Sequence, residues 1–115
     1  MHSGADLWLE AGDTTKAADA LEGAMYTNPF DIAQHERLAD LFTRTGDKKR
    51  AVRERSAVVA LKPVDLAEAL YRLAIAHRDA GDATNARRSI LRALEVAPHF
   101  ERAQDLLLSI VEKKP

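Results

Sequence analysis

Apolar residues return along this chain at the three- and four-residue intervals that place them on one face of a helix. Leu38, Ala39, Leu41 and Phe42 stripe one segment, and Leu70, Leu73, Ala74 and Ala76 stripe a second in the same manner. Between the stripes stand glycine, aspartate and proline, the residues that end and start helices. The pattern predicts seven helices, over about 4–11, 14–27, 31–45, 48–61, 65–79, 83–96 and 99–113. The turns between them are short, so successive helices are antiparallel neighbours. Three hairpins result, at about 4–29, 30–63 and 64–98, with a closing helix after them.

The punctuation is periodic. Gly-Asp occurs at Gly12-Asp13, Gly46-Asp47 and Gly81-Asp82, at intervals of 34 and 35 residues. An alanine follows each glycine by five residues (Ala17, Ala51, Ala86), and another precedes it by seven (Ala5, Ala39, Ala74). A proline stands seventeen residues after each, at Pro29, Pro63 and Pro98. Each glycine is free to take the left-handed conformation that ends a helix. The aspartate after it caps the next helix by accepting free amide protons. Asp31-Ile32-Ala33-Gln34 and Asp65-Leu66-Ala67-Glu68 read as capping boxes. The one-residue increase in spacing falls near Val64 to Leu66.

Composition narrows the class. With 46% apolar and only 5% aromatic residues, the core is built from Leu, Ala, Val and Ile. A net charge of −1 gives no global pull toward nucleic acid or an anionic membrane. No cysteine is present, so disulfides and thiolate metal sites are excluded and the compartment is left undetermined. The longest strongly apolar stretches are far too short to span a bilayer. Met1-His2-Ser3 reads as an expression scar, and residues 4–115 as the repeat domain.

These residues resemble the tetratricopeptide-repeat (TPR) family, whose unit is a pair of antiparallel helices of about 34 residues. Ala39 with Phe42 and Ala5 with Trp8 match the family's small residue followed by an aromatic; Ala74 with His77 keeps only the first. Ala17 with Leu21 and Ala86 with Ile90 match the second-helix pattern of alanine and a bulky apolar residue, and Ala51 with Arg55 departs from it. The resemblance implies an all-α, right-handed α-solenoid of about three TPR hairpins plus a C-terminal capping helix. Arg55 is expected to lay its stem along the interface with its guanidinium in water, the alternative being a pair with a buried carboxylate.

No catalytic constellation is visible. The histidines His2, His35, His77 and His99 are scattered and read as surface or interface residues, and there is no phosphate loop or nucleophile elbow. No enzyme activity, metal or cofactor is expected. The resemblance implies instead a scaffold that binds a peptide or partner protein on its concave face, lined by the first helix of each hairpin. By spacing, that face presents Glu36, Arg37, Asp40, Thr43 and Arg44, then Glu68, Tyr71, Arg72, Ile75, Arg78 and Asp79. Tyr71 and Ile75 are one turn apart and form a candidate apolar anchor between Arg72 and Arg78. The positions with which some relatives hold a chaperone's terminal carboxylate are here His2, Asp6, Arg37, Glu68 and Arg72. Only Arg72 suits that ligand fully, and the two acids oppose it. The basic run from Arg44 to Arg55, with Arg87, Arg88 and Arg92, reads as a solvated outer face, since no aromatics interleave to stack on bases. Two other readings are open. The runner-up is the non-catalytic C-terminal repeat segment of a larger bacterial enzyme such as a peptidase, and the third is self-association through Leu7 and Trp8 of the shortened first hairpin.

Overall fold

A computed structural model of the chain describes residues 28–112, together with Ala20 and Gly23. Five helices follow one another: α1 (Ile32–Thr45), α2 (Lys48–Ala60), α3 (Leu66–Asp79), α4 (Ala83–Val96) and α5 (Glu101–Glu112). Each packs on its neighbours in sequence, α1 on α2, α2 on α3, α3 on α4 and α4 on α5. That is the contact order of an α-solenoid, two hairpins and a further helix among the described residues. The predicted helices 4–11 and 14–27, and the pairs Ala5–Trp8 and Ala17–Leu21 with them, lie outside the described residues.

The helix starts follow from four aspartates. Asp31, Asp47, Asp65 and Asp82 each accept a hydrogen bond from the amide three residues on, at 3.0–3.2 Å. Two of these aspartates also finish the preceding helix. Gly46 and Gly81 are left-handed, with φ of 81° and 82°. The amides of Asp47 and Asp82 then reach back to the carbonyls of Phe42 and His77 at 2.9 and 2.8 Å. One Gly-Asp joint therefore closes one helix and opens the next. The reciprocal half of the expected capping boxes does not form. The Asp31 amide is given to the Asn28 carbonyl, and the buried Oε1 of Gln34 has no partner. Glu68 turns instead to Arg72 and Arg102, where a full charge meets full charges.

Alanine sets the spacing inside each hairpin. Ala39, Ala74 and Ala86 are fully buried and Ala51 nearly so. The largest fully buried side chains, Leu38, Leu70 and Ile90, fill the space to either side. One cluster runs from Leu70 and Ala74 through Ala86, Ile90 and Ala93 to Ala103, Leu106 and Ile110, so α5 shares a core with the second hairpin. Leu108, 34 residues after Ala74, is 58% exposed, and the buried set Ala103, Leu106 and Ile110 puts Leu107 at the place of Ala39 instead.

Arg55 corrects the expectation made for it. Its side chain is only 12% exposed, and Nη2 donates to Asp40 Oδ1 at 2.6 Å. Neither water nor a buried carboxylate takes the charge: Asp40 is itself 59% exposed. The guanidinium stays within the α1–α3 valley, and α1 supplies its counter-ion at the valley's rim.

Ala51→Leu is expected to overpack the α1–α2 contact and destabilise the chain by about 1–3 kcal/mol. Gly46→Val forces a β-branched residue into a left-handed backbone and is expected to cost about as much. Arg87→Glu on an exposed surface is expected to change stability by less than about 0.5 kcal/mol. Thermal melts of the three variants check this, and equal shifts would count against the hairpin contacts.

Candidate functional site

A valley runs between α1 and α3, and a larger cleft of about 460 Å³, lined by Glu68, Phe100 and Arg102, lies between the start of α3 and the turn into α5. Three adjoining clefts of about 180, 260 and 320 Å³ lie along the valley. The first two share Thr43, Ala76 and Asp79, and the second and third share Arg72. Together they form one trough, with small residues (Thr43, Ala51, Ala76) at one end and Ile32, Val58 and Val64 at the other. Small side chains, which let the helices approach closely, also leave the floor low.

The predicted site residues divide. Asp40, Arg72 and Ile75 line the central cleft, and Glu36 lines the third beside Arg72. Thr43, Glu68 and Asp79 join them. Arg37, Arg44, Tyr71 and Arg78 line none of the three. Arg78 is exposed and paired with the adjacent Asp79 at 3.2 Å. Tyr71 packs against the core, its ring 5.2 Å from that of Phe100. The guanidinium of Arg102 lies 4.9 Å from both rings. The proposed Tyr71–Ile75 anchor is therefore split: Ile75 faces the trough, and Tyr71 helps to seat α5.

Charge in the trough is arranged in pairs. Arg55 and Asp40 form the first, and the Nη1 of Arg55 is buried without a partner. Glu68 holds Arg72 at 3.1 Å with one oxygen and Arg102 of α5 with the other. Burial opposes ionisation of Glu68, but the bonds to Arg102 and Arg72 outweigh it and hold its carboxyl below the ordinary value of 4.5. Lys48 adds a cation at the small-residue end. With both signs interleaved, the trough suits a mixed polar and apolar chain better than a simple anion.

Arg102 and Phe100, which line the cleft beside the trough, and Lys48, which lines the trough itself, are not legible in the sequence as binding-surface residues. The first two sit just after Pro98, where the turn into α5 brings them across Tyr71. Only the repeat register, carried one helix further, pointed there.

Residues 68–99 match the family model described as tetratricopeptide repeat. No curated protein matches the chain by sequence. Solved structures match along nearly its whole length. The crystal structure of MamA superposes with a TM-score of 0.78 at 20% identity, covering 97% of this chain and 65% of that one. The first TPR of Spaghetti (RPAP3), bound to the HSP90 peptide SRMEEVD, gives 0.73 at 21% identity, covering 91% and 82%. The first TPR domain of human RPAP3, determined by NMR, gives 0.71 with the same identity and coverage.

Ile90, fully buried, occupies in α4 the place that Arg55 holds in α2. Arg55→Ile is therefore expected to leave the melting temperature unchanged or raised, because a well-packed apolar residue replaces a partly desolvated pair. Asp40→Asn leaves the cation without its counter-charge and is expected to cost on the order of 1 kcal/mol, solvent screening included. Paired thermal melts read both. The helix order, the capped Gly-Asp joints and the neighbouring folds agree: the described residues fold as an α-solenoid of helical hairpins, of which residues 68–99 match a tetratricopeptide repeat.

Proposed function

We propose that the chain is a protein-interaction scaffold that holds a peptide or a partner's segment in the trough between α1 and α3. The observation that carries this reading is the trough's continuity, three clefts joined through Thr43, Ala76, Asp79 and Arg72. Clefts joined in series suit an extended segment better than a compact small molecule. Ile75 offers apolar contact at its centre, with Asp40, Arg72 and Asp79 around it to fix orientation.

The RPAP3 repeat, similar in fold, is bound to an HSP90 peptide, which supports a peptide as the ligand class. The same tail is not the ligand suggested here. Two of the positions that would hold its carboxylate are Asp6 and Glu68. Glu68 already engages two arginines. The partner favoured is a segment of mixed charge with at least one apolar residue, and binding in place of catalysis is the activity.

The test is peptide selection from a displayed random library on the immobilised chain, followed by affinity measurements on two variants. Thr43→Arg fills the floor shared by two clefts and is expected to weaken selected peptides at least about tenfold, that is by about 1.4 kcal/mol. Arg88→Glu, on the outer face of α4, is expected to leave affinity unchanged. Peptides indifferent to the first variant and weakened by the second would move the binding surface to the opposite face.

A further inference from the structure

Among the described residues, two titratable groups are buried against each other outside the trough. His35 on α1 is 9% exposed, and Glu54 on α2 is 4% exposed. Nδ1 of His35 lies 2.6 Å from Glu54 Oε1, and Nε2 lies 2.6 Å from the carbonyl oxygen of Pro29. Both partners are acceptors. A neutral imidazole carries one N–H, so it satisfies one of them and points a lone pair at the other. Only the imidazolium donates to both.

The repeat supplies its own controls. In the second hairpin, Leu70 and Ser89 occupy the places of His35 and Glu54, and both are buried. The helices stack there without a titratable pair. In α5, six residues after Pro98 as His35 is six after Pro29, Gln104 donates its Nε2–H to the Pro98 carbonyl at 2.8 Å. The side chain that ties the proline turn to the helix is thus a fixed donor in one unit and a titratable one in another.

We propose that His35 is a proton-operated latch: doubly protonated, it ties the Pro29 turn to Glu54 of α2, and on losing a proton it releases the turn. The proton that stays is the one on Nδ1, because the Glu54 carboxylate is the stronger acceptor. Nε2 then turns its lone pair on the Pro29 carbonyl, and the two repel. Pro29 loses its tie to the ring, while Asp31 stays on α1 as its cap and the α1–α2 contact keeps its own bond.

Among the described residues, the charged groups bearing on the ring are Glu54 from α2 and Asp31 from the turn. Arg53 sits on the far oxygen of Glu54 at 2.8 Å, and α3, α4 and α5 contribute none. Burial works against the imidazolium, yet the bonds to Glu54 and Pro29 and the charges of Glu54 and Asp31 outweigh it. His35 is raised above its ordinary 6.5. The sign follows: the latch's contribution is complete below 6.5 and is lost as pH rises through the folded-state value. It is closed in mildly acidic solution and opens on the alkaline side.

The experiment is a pH titration of the whole chain, isotopically labelled, from pH 5.5 to 9. Imidazole nitrogen spectra follow His35, and amide spectra follow Phe30 and Asp31. The expected result is a His35 midpoint above 6.5, with the Phe30 and Asp31 resonances moving at that same midpoint. His35→Gln, which copies Gln104, is expected to hold those two amides at their low-pH positions throughout. Glu54→Gln is expected to lower the His35 midpoint. A midpoint at or below 6.5, or turn amides that ignore the titration of His35, overturns the proposal in the unaltered chain alone, whatever the variants do. A pH step that persists in His35→Gln overturns it as well.

Discussion

Close approach of paired helices at alanine is the constraint on which the rest of this structure depends. Helices of twelve to fourteen residues are marginal alone in water. They persist here because Ala39, Ala51, Ala74 and Ala86 let partners approach until Leu38, Leu70 and Ile90 are wholly enclosed. The trough follows from the same choice. Where small residues bring α1 and α2 together, the surface between α1 and α3 is left low, with Ala51 and Ala76 on its floor.

Much of the fold was legible because it is local. Four of the caps and both described glycine turns depend on residues a few positions apart, and their repetition removes ambiguity. Long side chains were harder to place. Arg55 was expected to reach solvent and instead pairs with Asp40, fifteen residues away. Tyr71 was expected in the binding surface and is roofed by Arg102 from a helix 31 residues on. His35 looked like a surface or interface residue, since its acceptors come from a turn before it and a helix after it. In each case the deciding partner lies on another element, which periodicity along one helix does not reveal.

Comparison between units separates what the solenoid requires from what this chain has added. Ile90 and Leu70 show that the stack is satisfied by apolar residues at the places of Arg55 and His35. The charged groups at those places are therefore additions to the scaffold and not conditions of it. They lie at different edges of α1: one at the trough, beside Asp40, and one at the turn, beside Pro29.

The Gly-Asp joint has a consequence for how such an array changes length. Each joint spans two helices with no slack, and one inserted residue would rotate the following helix by about 100° about its axis. Ala51 would swing away from α1, and every later rung would inherit the error. Length variation is better borne where a hairpin begins, from the linkage after Leu61 through the first turns of α3, where the fully exposed Val64 bears no packing duty. The chain already shows such an accommodation: from cap to core, Asp31 to Leu38 is seven residues and Asp65 to Leu73 is eight. Growth or drift in this architecture enters where a unit begins and is refused at the joint within it.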